Sequence, residues 1–235
     1  MIRHLFFDLD NTLWDHRKNA YLTLKELFRR EALAMRYALD FEAFHRVYFT
    51  VNERLWAQIR DGEIDKAYLR AHRFYDTFLA FGIDDRALAD RFESEFLDEI
   101  LYYNELVDGA LALLDDLSSR GYRLHILSNG FQEVTHRKCE LSGIKRYFDT
   151  ITSADEIQVR KPQEAIFAYA LAKAGAQKGE SLMIGDDWVA DVQGSFAFGM
   201  KAVFFDVFRE GNQAPGVKVV RHLSEIPALL CDFYR

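Results

Sequence analysis

Apolar positions along this chain change their spacing near residue 15 and again near residue 104. Ile2, Leu5, Phe6 and Phe7 form a short apolar run that stops at Asp8-Leu9-Asp10. A run this short and bulky, without helical spacing, predicts a strand buried on both faces. From about Asp15 to Tyr103 the apolar residues instead recur at intervals of three and four. Tyr21, Leu24, Leu27 and Phe28 show it, as do Phe41, Phe44, Val47 and Tyr48, and again Leu88, Phe92, Phe96 and Leu97. That spacing puts one apolar stripe on each of a series of helices. Breaks near Leu39-Asp40, Asp61-Gly62 and Phe81-Gly82-Ile83-Asp84 divide the stretch into four or five of them. Proline is absent there, as uninterrupted helices require. The many aromatic rings read as helix-bundle core.

After Asn104 the two periods alternate. Ala110 to Arg120 reads as a helix stopped by Gly121, and Tyr122 to Leu127 as a strand. Ser128-Asn129-Gly130 follows, then a helix to about Leu141. Phe148 to Thr152, Ser181 to Ile184 and Lys201 to Phe205 read as further strands, Val217 to Val220 as a possible sixth. Pro162 is expected in the first turn of a helix running to Gly175, another helix ends at Gly199, and Ile226 to Phe233 reads as a terminal helix. Strands alternating with helices predict a doubly wound parallel sheet. The expected organisation is an α/β core made of residues 1–14 and 104–235, with a helical domain, 15–103, inserted after the first strand.

Charge narrows the partners. The chain of 235 residues carries 30 Lys and Arg against 37 Asp and Glu, a formal charge of −7. With no long basic run, a nucleic-acid polymer is not an expected partner. An anionic ligand must be held by a local cluster or a metal, because the overall field opposes it. The two cysteines, Cys139 and Cys231, form no Cys-x-x-Cys pair, and the histidines are scattered. No leader and no membrane-spanning segment is recognisable, and reduced thiols suit the cytoplasm. The expected form is a cytoplasmic monomer or homodimer.

Candidate chemistry gathers where strands end. Asp8 and Asp10, Ser128 and Asn129, Lys161, and Asp186, Asp187 and Asp191 each follow a predicted strand or open a helix. In a parallel sheet all strand carboxyl ends meet at one edge, so residues remote in sequence converge there. Taken singly, each has a bland reading: Asp-x-Asp a surface turn, Ser128-Asn129 and Asp187 helix caps, Lys161 a solvated side chain. Together they make a hard-oxygen site suited to Mg²⁺, with a cation and dipoles left for phosphate oxygens.

These residues carry a resemblance. Asp8-Leu9-Asp10-Asn11-Thr12-Leu13, Leu127-Ser128-Asn129, Lys161-Pro162 and Gly185-Asp186-Asp187 through Asp191 resemble, in order, the four motifs of the haloacid-dehalogenase superfamily of phosphohydrolases. The match spans essentially the whole chain. It implies a Rossmann-like core with a helical cap that closes over the site. It implies that Asp8 is the nucleophile that takes the phosphoryl group. Asp10 would protonate the leaving oxygen and then activate water. The Asp8 side chain, the Asp10 carbonyl and Asp186 would hold Mg²⁺, with Thr12, Asp187 and Asp191 in support. Ser128, Asn129 and Lys161 would bind phosphate oxygens, Lys161 also offsetting the charge on Asp8. Two positions depart from the pattern: Gln158 stands near a glycine common before the lysine, and Gly194-Ser195 replaces a frequent Gly-Gly.

Asp10 speaks against dehalogenation, which has no leaving alkoxide to protonate. A phosphonatase would need a cap lysine, for which Lys18, Lys25 and Lys66 read as solvated helix residues. A phosphomutase shares the whole motif set. A non-catalytic module binding a phosphorylated ligand is disfavoured by the intact Asp8 and Asp10. Within the superfamily, Ser128-Asn129-Gly130-Phe131, Leu141-Ser142-Gly143-Ile144, Tyr147-Phe148-Asp149 and the cap phrase from Leu55-Trp56 to Arg73-Phe74 resemble the pyrimidine 5′-nucleotidase branch. The implied substrates are small phosphorylated metabolites, pyrimidine nucleoside monophosphates first, with sugar phosphates as the alternative. Trp14, Asp15 and His16 are expected at the first hinge, as packing more than as substrate contacts.

Overall fold

The computed structural model describes residues 1–230, so Cys231 and the end of the predicted terminal helix lie outside the described residues. The chain forms two compact units: Met1–His16 together with the chain from Asn104 onward, and Arg17–Tyr103.

The first unit is built on a six-stranded sheet of order β3-β2-β1-β4-β5-β6, with parallel pairing throughout. The strands are β1 His4–Phe7, β2 Arg123–Ser128, β3 Phe148–Ser153, β4 Ser181–Gly185, β5 Lys201–Phe205 and β6 Lys218–Val220. All residues of β1 are buried, which explains its apolar run Leu5-Phe6-Phe7: it has a strand on each side and cover on both faces. Strand order reverses at β1, with β2 on one flank and β4 on the other. The crevice at such a switch point is the ligand site of open α/β sheets. Register sharpens this. Phe7 pairs with both Ile126 and Ile184, so the chain leaves all three strands at nearly one level, and Asp8, Ser128 and Asp186 emerge together. Beneath them Phe6, Leu127, Ile166, Phe167, Met183 and Phe204 pack into one apolar cluster.

The second unit holds most of α1 (His16–Arg30), then α2 (Leu33–Tyr37), α3 (Phe41–Arg60), α4 (Lys66–Leu79) and α5 (Arg86–Glu99). The last three begin alike. Asp40, Asp65 and Asp85 are N-caps whose carboxylates accept from Ala43, Tyr68 and Leu88 N–H at 2.9, 2.8 and 2.9 Å. Phe44, Tyr48, Phe74, Phe78, Phe92 and Phe96 form the core of this unit, ring against ring.

Beyond the sheet, α6 spans Ala110–Ser119, α7 Gln132–Leu141, α8 Glu164–Ala174, α9 Gly194–Phe198 and α10 Ile226–Leu230. Pro162 differs from its expected place. It lies before α8, joined to Lys161 by a cis peptide bond, and Gln163 caps the helix. The helix expected after β4 begins as a wide π-type turn, Trp188–Gln193, before α9. Such turns recur at functional sites.

Candidate active site

The site is assembled from the ends of the three central strands and the two loops that follow β3 and β4. Asp8 is the first residue past β1, fixed by its N–H donating to Ile184 O at 2.9 Å. Lys161 reaches it from the loop before α8. Its ammonium donates to Asp8 Oδ1 at 2.7 Å, Asp191 Oδ1 at 2.6 Å and Leu127 O at 2.7 Å. The three protons of that ammonium are thereby committed, and the side chain is 1% exposed. A phosphate oxygen would share one of these bonds.

Asp191 sits in the π-type turn, fully buried. Its second oxygen accepts from Asp187 N–H at 3.0 Å. Asp187 itself caps that turn, accepting from Val189 and Ala190 N–H at 2.9 Å each. The cap reading of Asp187 is therefore realised, and through it Asp191 is aimed at the lysine. Gly185 is required by this packing: a Cβ there would lie 2.1 Å from Asp191 Oδ2. Gly194 is required as well, since its Cβ would lie 2.7 Å from Pro162 Cα. Ser195 replaces the second glycine without difficulty, because its buried hydroxyl donates to Asp191 O at 2.5 Å. Gln158, near the position of a glycine common in the family this chain resembles, takes the left-handed conformation that glycine favours, with φ of 57°.

Asp186 follows β4 and accepts from Thr12 Oγ1 at 2.8 Å. One oxygen each from Asp8, Asp186 and Asp191 lies within 4.8 Å of the others. Burial, reinforced by mutual repulsion, holds all three carboxyls above the ordinary Asp range, against Lys161 for Asp8 and Asp191 and against the Thr12 hydrogen bond for Asp186. For Lys161 burial works against the charge, but Asp191 and Asp8 outweigh it and hold the ammonium protonated. A buried group of hard oxygen donors that resist ionisation together is what a divalent cation relieves. These residues can hold such a metal. With both Asp191 oxygens already engaged, Asp8 and Asp186 are the side chains left to hold it.

Asn129 has a different use from the one expected. Its amide closes a two-way clamp on the Lys161 main chain, accepting from N–H at 2.8 Å and donating to C=O at 2.9 Å. The side chain places the lysine. Ser128 Oγ lies at the end of β2 and accepts from Gly130 N–H at 3.0 Å.

Asp10 belongs to a second, separate group. Its Oδ1 accepts from Lys138 Nζ at 2.5 Å, and His16 Nδ1 stands 3.7 Å away. Burial alone would raise its carboxyl, but Lys138, His16 and Lys161 bring it below the ordinary range. Lys138, on α7, was not among the residues singled out from sequence. The signal was its position: with Phe131, Thr135 and Cys139 it lies on the buried stripe of that helix. Trp14 is fully buried, as the packing reading has it.

Comparisons with known proteins agree with this geometry. The family model for haloacid dehalogenase-like hydrolases matches residues 2–199. The pyrimidine 5′-nucleotidase PynA of Streptococcus pneumoniae is 30% identical over 208 residues, 87% of this chain and 84% of that protein. The pyrimidine 5′-nucleotidase YjjG of Escherichia coli is 27% identical over 231 residues, 97% of each chain. Among solved structures, the putative HAD-hydrolase YfnB from Bacillus subtilis, bound to magnesium, superposes with a TM-score of 0.86. It is 22% identical, and the match covers 98% of this chain and 99% of that one.

Proposed function

This chain belongs to the haloacid dehalogenase-like hydrolases, and we propose that it is a Mg²⁺-dependent phosphomonoesterase working through an aspartyl-phosphate on Asp8. The observation that carries the reading is the unequal pairing of the two carboxylates of Asp8-Leu9-Asp10. Asp8 shares Lys161 with Asp191 in an overcrowded acidic group, while Asp10 has Lys138 to itself. Two carboxylates with different surroundings suit two roles: Asp10, held ionised beside Lys138, is set to take a proton from water in the second step, and must first gain the proton that it gives to the leaving oxygen in the first.

Asp8 attacks phosphorus, and the ester P–O bond breaks. The leaving oxygen takes a proton from Asp10. Asp10, now ionised, accepts a proton from water, which attacks phosphorus and releases inorganic phosphate from Asp8. Lys161 offsets the charge of Asp8 against the approaching phosphate. Ser128 and the main chain of the loop after β2 face the phosphate oxygens, and Asn129 keeps Lys161 in place. Asp8, Asp186 and the Asp10 carbonyl would hold Mg²⁺, which when bound would supply charge neutralisation for the phosphoryl oxygens. Thr12, Asp187 and Asp191 orient these groups.

For substrate we propose nucleoside 5′-monophosphates, pyrimidine ones first. The support is the resemblance of the second motif and the helical insertion to that branch, together with the similarity to PynA and YjjG. The test is a phosphate-release screen over nucleotides, sugar phosphates and flavin phosphates, with Mg²⁺ and with a chelator. Release should require Mg²⁺ and be fastest with pyrimidine nucleotides. Sugar phosphates that beat every nucleotide by more than about tenfold, roughly 1.4 kcal/mol of transition-state discrimination, overturn the nucleotidase reading and leave the phosphatase standing. No release from any ester in the presence of Mg²⁺ overturns both.

A further inference from the structure

We propose that Lys138 is the positioning residue of Asp10, pinning one carboxylate oxygen so that the other is left to exchange protons with the leaving group and with water. The inference rests on the reading of Asp10 as proton donor and acceptor.

Its basis is a cation fixed from two sides. Lys138 Nζ donates to Asp10 Oδ1 at 2.5 Å and stands 4.2 Å from the centre of the Trp14 ring. The Lys138 side chain is 5% exposed. An ammonium so deeply placed forfeits most of its hydration, which one carboxylate and one aromatic face must replace. The aromatic wall is itself fixed. Trp14 N–H donates to Leu9 O at 2.9 Å, Asn11 N–H donates to Trp14 O at 2.7 Å, and Trp14 forms a bridge with Leu106. Its indole N–H is buried without a hydrogen-bond partner, so Trp14 contributes its face and volume rather than a donor.

The two oxygens of Asp10 thus differ. Oδ1 is held by Lys138. Oδ2 turns toward the loop after β2, where a Cβ on Gly130 would meet it at 3.6 Å and Ser128 Oγ at 3.1 Å. Oδ2 and the Ser128 hydroxyl assigned to phosphate thus both border Gly130. Proton transfer depends on such placement, because a misplacement of about 1 Å can cost about a hundredfold in rate. Lys138 also ties Asp10 to the helix that follows the Ser128 loop: β2 ends at Ser128 and α7, which carries Lys138, begins at Gln132.

The experiment compares kcat/KM for two esters, one with a poor alkoxide leaving group (a nucleoside monophosphate or glycerol phosphate) and one with a good leaving group (p-nitrophenyl phosphate). A good leaving group needs little help from an acid. Lys138→Met should lower kcat/KM on the alkyl ester by about a hundredfold and on the aryl ester by less than about fivefold, within the range that a positioned acid contributes. Lys138→Arg should restore the alkyl ester to within about fivefold of wild type. Lys138→Gln serves in place of Lys138→Met should the latter not fold, with thermal unfolding checking each variant. Asp10→Asn is run alongside. Equal losses on both esters in Lys138→Met, with a selective loss in Asp10→Asn, overturn the role of Lys138 and leave that of Asp10. No ester selectivity in Asp10→Asn overturns the reading of Asp10, and the role of Lys138 with it.

Discussion

The two units of this chain each bury charge, and they do it differently. In the helical unit Arg73 and Glu93 are an ion pair with two points of contact, Nε to Oε2 at 3.0 Å and Nη2 to Oε1 at 2.8 Å. Arg70 adds a second cation 3.4 Å from Glu93, and the rings of Phe74 and Phe96 lie against the Arg73 guanidinium. Charge there is compensated. In the α/β unit Lys161 faces Asp8 and Asp191, with Asp186 close by, and the carboxylates outnumber the cation. A compensated buried pair holds a structure in one arrangement, whereas an uncompensated one is tolerated where a further cation or a substrate completes it. The location of the imbalance, at the switch point of a parallel sheet, is what separates a site from a packing device.

The comparison breaks most sharply at Asp8. Asp8→Asn should cut phosphate release by at least about a thousandfold, since it removes the nucleophile. It should cost little stability, because it takes one charge out of a crowded acidic group. Denaturant unfolding beside a phosphate assay checks both halves. An asparagine variant that keeps near wild-type turnover sinks the covalent route.

Glu93→Ala should behave in the opposite way. It strands the Arg73 guanidinium, 3% exposed, without its carboxylate. The expected loss is about 3–5 kcal/mol of stability, read from the denaturant midpoint. Molecules that remain folded should keep the Mg²⁺ requirement of wild type. A Glu93→Ala protein as stable as wild type would mean that the rings of Phe74 and Phe96 sustain the Arg73 charge without a carboxylate.

A third buried polar group sharpens the contrast, because it carries no charge at all. His4 Nδ1 and His125 Nε2 lie 3.0 Å apart, and His125 Nδ1 is 2.9 Å from Thr150 Oγ1. Burial first, then the neighbouring His4, pulls His125 down to about 4. The unfolded chain takes up this proton near pH 6.5 and the folded chain does not. The unfolded state therefore binds more protons between these values, and stability falls as pH drops from about 6.5 toward 4. Unfolding midpoints at pH 7 and pH 5 should show that fall, and His125→Gln should flatten it whatever its stability at pH 7. Parallel declines in the two proteins would assign the acid sensitivity to other groups.

The motif carboxylates and Lys161 were legible in the sequence because strand ends are readable from apolar runs, and a parallel sheet brings its strand ends to one edge. The breaks before α3, α4 and α5 were legible for a local reason, since each precedes a fresh apolar stripe, whereas the capping roles of Asp40, Asp65 and Asp85 come from the structure. Lys138 was not. A single lysine on a helix reads as solvated, and only the fold reveals that its stripe faces Trp14 and Asp10. The clamp of Asn129 on Lys161 joins residues 32 apart and has no local signature. The place of Pro162 was misread because the first turn of a helix and the cis turn before one both accept proline.

The smallest effect concerns geometry without charge. Gln158 is exposed and held at φ of 57°, in the loop that delivers Lys161. A side chain in that region costs about 1–2 kcal/mol, and glycine avoids it. Glycine in turn loses about 0.5–1 kcal/mol through the greater freedom of its unfolded chain. The Gln158 side chain also donates to Asp155 O at 2.8 Å, a contact that glycine gives up. The terms nearly cancel, so Gln158→Gly should change stability by less than about 1 kcal/mol, on the stabilising side when the solvated hydrogen bond contributes little. Activity should stay within about twofold of wild type, because Asn129 clamps the Lys161 main chain independently of residue 158. Gln158→Val is the counterpart: a β-branched residue disfavours that φ further, and its stability should fall below that of both glutamine and glycine. If valine is tolerated as well as glycine, the backbone at 158 is free to move, and Asn129 alone defines where the lysine sits.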